Sequence, residues 1–260
     1  LAQFDLPSMD PFGAERAHIE AETTKLAYDA RNRFLADVDH TTRVNHMLAP
    51  ETAQRLAALI DPKKAMESPA AVSEQVHKDT VYITVVDQDR NACSFINTLY
   101  ENFGTGWMAP KSGVLLQNRG QGFSLEAGHP NCIAPGKRPM HTIIPGMIMK
   151  DGQTVSSYGV MGGQYQAFGH MQILSRHLQY GLGVQEAQDF PRFFPNPKTG
   201  NVEVEGAIPQ DVLDGLRALG HSIVPTPRPI GGSQAIWIDH ARGTLTGGSD
   251  PRKDGCAIGY

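Results

Sequence analysis

Cysteine is scarce: Cys93, Cys132 and Cys256 are odd in number, far apart and in no CxxC pair. This argues against a disulfide framework and against a zinc site, and points to a neutral or reducing compartment, so the expected location is cytoplasmic. No apolar run approaches the ~18–20 residues that cross a bilayer, and no membrane partner is expected. Neither charge sign dominates, with 23 Lys+Arg against 27 Asp+Glu, so there is no basic footprint for nucleic acid. The ten histidines include no HExxH, and His129, His141, His170 and His177 lack tight ligand spacing. There is no GxSxG elbow and no GK[ST] after the Gly162-Gly163 pair. The expectation is therefore that no metal or organic cofactor takes part. An initiating Met is also missing. The chain opens on Leu1, which leads to the expectation that a leader or a preceding segment is absent.

What is there is enough for a core: 40 % hydrophobic and 19 % charged residues. Gly (27) and Pro (18) predict many tight turns. "AERAHIEAETTKLAYDARNRFLAD" reads as a helix, with Ile19, Thr23, Leu26, Ala27 and Ala30 as its apolar stripe. "APETAQRLAALID" reads as a second helix between Pro50 and Pro62, followed by an exposed loop to Asp79. Thr80 to Val86 alternates, with Val81, Ile83 and Val85 on one face and Thr80, Tyr82, Thr84 and Val86 on the other. "ACSFINTLY", "SGVLLQN", "GMIMKDGQTVSSYGV", "NVEVEG" and "SQAIWIDHARGTLTGG" add strands, with hairpin turns at Asp151-Gly152 and Arg242-Gly243. "QYQAFGHMQILSRHLQYG" and "PQDVLDGLRALG" read as helices, the latter stopped by Gly220. Strands and helices in blocks predict an α+β layered sandwich.

Thr80 stands where a polar stretch meets an apolar strand. A threonine there is most often an ordinary β-branched strand opener. The exposed segment before it, however, is the kind of place where chains are cut. A cut between Asp79 and Thr80 would give Thr80 a free α-amine with a pKa of roughly 8. That amine can take the proton of its own hydroxyl, so one residue supplies nucleophile and base. Gly162 and Gly163 lie between a strand and a helix and can present backbone N–H groups to an oxyanion, though a plain turn is the commoner meaning. Arg119 sits in "LLQNRGQGFS", where its planar fork suits a carboxylate; a solvated surface arginine is the alternative. His141 and Thr142 lie in the proline-punctuated "APGKRPMHTIIPG".

The order "DTVYITVVDQDRNA", "TLYENFGTG", "SGVLLQN", "PGKRP", "GGQYQ", "QEAQDFPRF" and "GGSDPRKDGCAIGY" resembles the γ-glutamyltransferase family of N-terminal-nucleophile hydrolases, collinearly over nearly the whole chain. The resemblance implies the four-layer αββα sandwich, of which this chain supplies only part. It implies a precursor that cleaves itself before Thr80, leaving residues 1–79 as the end of the large subunit and 80–260 as the small one. It implies that Thr98 supports the nucleophile, that Gly162 and Gly163 form the oxyanion site, and that the partner is the N-terminal part of the large subunit, in a heterodimer or a dimer of heterodimers.

The departures from the family pattern bear on the substrate. Val81 follows Thr80, and the positions expected to hold a glutamyl head group are Tyr100, Gly122, and His141 with Thr142, while Arg119 replaces a glutamine. An aspartate for an ammonium is gone and a guanidinium has appeared, which predicts poor binding of glutathione. The variant pattern resembles the branch that includes acylases and oxamate amidohydrolase. The expected activity is hydrolysis of a small, oxamate-like amide through an acyl-threonine intermediate, with Arg119, Tyr100, His141, Thr142 and Gln121 shaping the acyl pocket. Two alternatives stand beside it: transfer or hydrolysis of γ-glutamyl compounds, and an uncleaved, inactive relative acting as a binding or assembly subunit.

Overall fold

The computed structural model describes residues 1–41, 43–67 and 79–260. Its helices are α1 (Ala14–Phe34), α2 (Val44–Leu48), α3 (Pro50–Ala57), α4 (Gln166–Leu178), α5 (Val184–Asp189) and α6 (Gln210–Ala218). Its strands are β1 (Asp79–Val86), β2 (Ala92–Tyr100), β3 (Gly146–Lys150), β4 (Gln153–Met161), β5 (Phe193–Pro195), β6 (Val202–Val204), β7 (Ile223–Pro225), β8 (Gly232–Asp239) and β9 (Thr244–Ser249). They form sheets β1-β2, β3-β4-β8-β9 and β5-β6-β7. The result is α+β, as the pattern predicts. The expected exposed loop lies, over 68–78, outside the described residues.

The elements divide into two units that interleave along the chain. The first comprises Leu1–Gln75, Gly120–His141 and Pro191–Arg228. Here α1 packs against α6, β5 and α3. The expected stripe on α1 does not hold: of its five residues only Ile19 is buried, and Ala27 is exposed. The helix is instead enclosed along its first half, with Arg16, His18, Glu20, Glu22 and Lys25 all buried. Those charges tolerate burial because they pair within the same helix: Arg16 with Glu20, and Lys25 Nζ with Glu22 Oε1 at 2.8 Å. The apolar part of this core is built around Ile19, Tyr28, Phe194 and Leu216, with Tyr28 edge-on to Phe194 at 6.0 Å.

The second unit comprises Val76–Arg119, Thr142–Phe190 and Pro229–Tyr260. In it the β1-β2 pair lies on β4, and α4 and α5 pack against the four-stranded sheet. The alternation in β1 is as expected, but its apolar set Val81, Ile83 and Val85 faces outward and is about half exposed. The inward set, apart from Val86, carries hydroxyls. Thr84 donates to Ser157 Oγ at 2.6 Å, the Tyr82 hydroxyl meets Ser94 Oγ at 2.7 Å, and Ser157 donates to the Cys93 carbonyl at 3.2 Å. Both hairpins form at the expected turns, where Asp151, Gly152 and Gly243 have φ of 51°, 78° and 69°.

One strand expectation fails. Residues 112–118 are an irregular loop folded back on 105–109, with Thr105 N–H on Leu116 O and Ala109 N–H on Val114 O. Three positive-φ glycines, Gly104, Gly106 and Gly113, interrupt any regular ladder there. The short α2, α5, β5 and β7 carry too few residues to show a period and escape sequence reading.

Candidate active site

The site is assembled where β1 begins and β2 ends. Asp79 pairs with Tyr100 but Val81 pairs with Asn97, so residues 98 and 99 of β2 face the single Thr80 of β1. A bulge of this kind re-aims a side chain. Here it brings Thr98 onto Thr80, whose hydroxyl donates to Thr98 Oγ1 at 3.3 Å. The Tyr100 N–H donates to the same oxygen at 3.1 Å and so holds the Thr98 side chain in place. Tyr100 itself has φ +82°, an outlier for a bulky residue, and is almost fully buried.

From Tyr100 the arrangement continues to Arg119. Its guanidinium lies 4.7 Å over the Tyr100 ring, and Nη1 donates to Thr142 Oγ1 at 3.4 Å. The loop carrying it is pinned to β2: the Asn118 N–H binds Leu99 O at 3.0 Å, and Asn118 Nδ2 binds Glu101 Oε2 at 2.9 Å. Arg119 is only 5 % exposed, has no carboxylate partner among the described residues, and its Nη2 makes no hydrogen bond there. Burial lowers its pKa, partly opposed by Tyr100. Burial likewise pushes the Tyr100 phenol up to about 12, so the ring stays neutral under the cation.

β1 also packs on β4, the strand that runs into the glycine pair. Thr84 bonds Ser157, and a methyl at Gly159 would lie 2.3 Å from the Tyr82 ring. Two residues on in β1 correspond to two residues back in β4, so the strands of the two layers run in opposite directions. Continuing that step puts Thr80 level with Met161, one residue before Gly162. Gly162 and Gly163 have φ +127° and +58°, conformations that favour glycine. Gly163 opens a short 3₁₀ turn leading into α4, and the first amides of a helix have no carbonyl within it to bind. Thr80, Thr98, Tyr100, Arg119, Thr142, Gly162 and Gly163 all belong to the second unit. Gln121 and His141 fall in the first unit; both are exposed, and the His141 ring bonds the Pro139 carbonyl at 2.7 Å.

A second polar cluster, which spacing does not show, lies in the first unit. One ligand atom each from His18, Glu22 and His221 lie within 4.8 Å of one another, all buried. Lys25 on Glu22 already supplies a positive charge there, and His18 spends both ring nitrogens, on His221 Nε2 and on Asp61 O, each at 2.8 Å. Because a carbonyl only accepts, His18 donates to Asp61 O through a proton on Nε2. Burial, with Lys25 and His18 adding to it, drives the His221 pKa down to about 3. His221 lies 203 positions from His18, so no local spacing reveals the cluster.

The Gamma-glutamyltranspeptidase family model matches residues 1–260. The chain is 34 % identical to the glutathione hydrolase-like YwrD proenzyme of Bacillus subtilis, over 100 % of this chain and 50 % of that protein. It is 34 % identical to the oxamate amidohydrolase proenzyme of Klebsiella pneumoniae, over 98 % of this chain and 49 % of that protein. Among solved structures it is similar to a cephalosporin acylase from Bacillus halodurans, with TM-score 0.85, 35 % identity, and coverage of 95 % of this chain and 46 % of that one. It is also similar to a γ-glutamyltranspeptidase chain from Pseudomonas nitroreducens, with TM-score 0.63, 26 % identity, and coverage of 69 % of this chain and 98 % of that one. The chain thus spans about half the length of the curated relatives it matches. Among the described residues no helix is long and apolar enough to cross a membrane. With its fold, its motifs and its full-length family match in agreement, the chain belongs to the γ-glutamyltranspeptidase family.

Proposed function

We propose that this chain carries the active site of a self-processing N-terminal-threonine amidohydrolase. The observation that carries the reading is the Thr80 hydroxyl held on Thr98 at the bulged start of β1. Scission between Asp79 and Thr80 frees the α-amine, which accepts the hydroxyl proton as the Thr80 oxygen attacks an amide carbon. The oxyanion that forms is met by the N–H groups of Gly162 and Gly163. The C–N bond breaks, the leaving nitrogen takes the proton from the amine, and ammonia or an amine departs. Water then cleaves the acyl ester, releasing the acid and restoring Thr80. The division at residue 80 has further support: the γ-glutamyltranspeptidase chain matched over 98 % of its own length covers 69 % of this one, about the share that 80–260 makes up.

We assign the acyl group to a small acid whose carboxylate sits beside the scissile amide, as in oxamate. A buried guanidinium with no anion of its own is costly unless a ligand supplies one. Arg119, whose guanidinium lies over the Tyr100 ring and among the described residues is bonded to a hydroxyl and to no anion, is such a group. The protein named as an oxamate amidohydrolase being 34 % identical favours the same substrate class. Because the relatives are proenzymes of about twice this length, the competent enzyme includes a large-subunit partner.

The test is a denaturing gel with N-terminal sequencing, run beside kinetics on oxamate and on a γ-glutamyl anilide. Two pieces, the smaller beginning at Thr80, with ammonia released from oxamate, are expected. A single intact band in active material rejects the mechanism, and preference for the anilide rejects the substrate.

A further inference from the structure

One buried side chain holds the Gly162–Gly163 turn from behind. Tyr165 closes the 3₁₀ turn that Gly163 opens, and its N–H donates to Gly162 O at 3.1 Å. Its ring is enclosed by three glycines. A methyl added at Gly169 would lie 2.5 Å from ring atom Cε1, one at Gly231 2.5 Å from Cδ1, and one at Gly162 3.4 Å from Cδ1. Gly162 in turn rests on the backbone of Gly231, where an added methyl would come within 2.9 Å of the Gly231 Cα. The phenol is fastened at the far side, donating to Gln172 Oε1 of α4 at 2.8 Å, and both side chains are buried. Every one of these residues belongs to the second unit.

The enclosure has a physical consequence. Gly162 and Gly163 occupy positive φ, where glycine has its widest freedom, so the turn by itself would sample several orientations of its N–H groups. An oxyanion site works only if its donors are already aimed when charge develops. The ring fills the space into which the turn would relax, and the hydroxyl anchor stops the ring from sliding out. The three glycines read as the room needed to admit an aromatic side chain directly beneath the turn.

The geometry points to Tyr165 as the positioning residue of the oxyanion turn: it touches no reacting atom and acts by fixing the Gly162 and Gly163 N–H groups. This rests on the reading of Thr80 as nucleophile and of the glycine pair as its oxyanion site.

The test uses the full-length, self-cleaved enzyme, with oxamate or a γ-glutamyl anilide as substrate, whichever the wild type turns over faster. Tyr165→Leu is expected to lower kcat by ~10²–10³-fold, the scale of losing one oxyanion donor, with KM within threefold of wild type. Tyr165→Phe keeps the ring in its enclosure and rescues most of the loss, leaving kcat three- to tenfold down and KM unchanged. A folded Tyr165→Leu with kcat within threefold of wild type overturns the proposal, as does a variant whose loss appears in KM instead. Where Tyr165→Leu does not fold, Tyr165→Phe and Gln172→Leu decide: a fall in kcat at constant KM supports the role, and an unchanged kcat in both overturns it. A wild type that neither cleaves itself nor hydrolyses either amide refutes the nucleophile reading instead, so the two failures are distinguishable.

Discussion

Both units bury charge, but one buried cation of the second is treated differently from Arg16, Lys25 and Arg252. In the first, α1 encloses Arg16, Glu20, Glu22 and Lys25, and each is matched within a turn or so of the same helix. In the second, Arg252 is tied to Asp250 at 3.2 Å and to the carbonyls of Gln188 and Phe190, yet among the described residues the Arg119 guanidinium meets a neutral hydroxyl and an aromatic face and no carboxylate. Charged groups are desolvated in both places, so burial alone does not mark function. What separates them is whether the counter-charge is built into the chain. A paired buried charge is finished structure; one with no counter-charge among the described residues, beside a bulged threonine, is what the proposed carboxylate site requires.

The sharpest way to break this contrast is Thr80→Ala. If the second unit is the chemical one, self-cleavage stops and amide hydrolysis falls by roughly 10⁴-fold or more, read by gel and by ammonia release. Glu22→Gln probes the other side. It leaves the Lys25 ammonium buried without its partner, and the expected loss is ~3–5 kcal/mol of stability, measured by denaturant unfolding. The folded fraction should keep its kcat. Arg119→Met should do the reverse. Removing charge-assisted bonds to a substrate carboxylate costs about 1.5–3 kcal/mol in kcat/KM, whereas stability holds or rises because no protein anion is orphaned. A large drop in melting temperature for Arg119→Met would make Arg119 a structural residue like those of α1.

The smallest effect is in pH. Burial holds His221 at about 3 and His170 at about 4, below the ~6.5 of the unfolded chain. Above pH ~6.5 both rings are neutral folded or unfolded, and stability is at its full value. As pH falls below that, the unfolded chain takes up protons that the folded one refuses, so stability declines progressively toward pH 4–3. Melting curves at pH 7.5, 5.5 and 4.5 should show the decline, and His221→Gln should flatten it. A curve for His221→Gln that parallels the wild type removes His221 from the account.

The local elements were legible in the sequence where a short-range rule governs them. The β1 alternation, the two glycine hairpins and the span of α1 follow from side-chain period and from φ preferences, which depend on neighbours in the chain. The collinear motifs were enough to name the family and to single out Thr80, Thr98, Arg119 and the glycine pair. Tertiary structure alone decided which face of β1 turns inward, because that depends on the hydroxyls of Ser94 and Ser157 waiting opposite. It alone showed that α1 buries its charges, that His18 meets His221, and that Tyr165 lies among Gly162, Gly169 and Gly231. Each of these is a meeting of residues far apart in the chain, and burial energy rewards such meetings without leaving a period or a spacing behind.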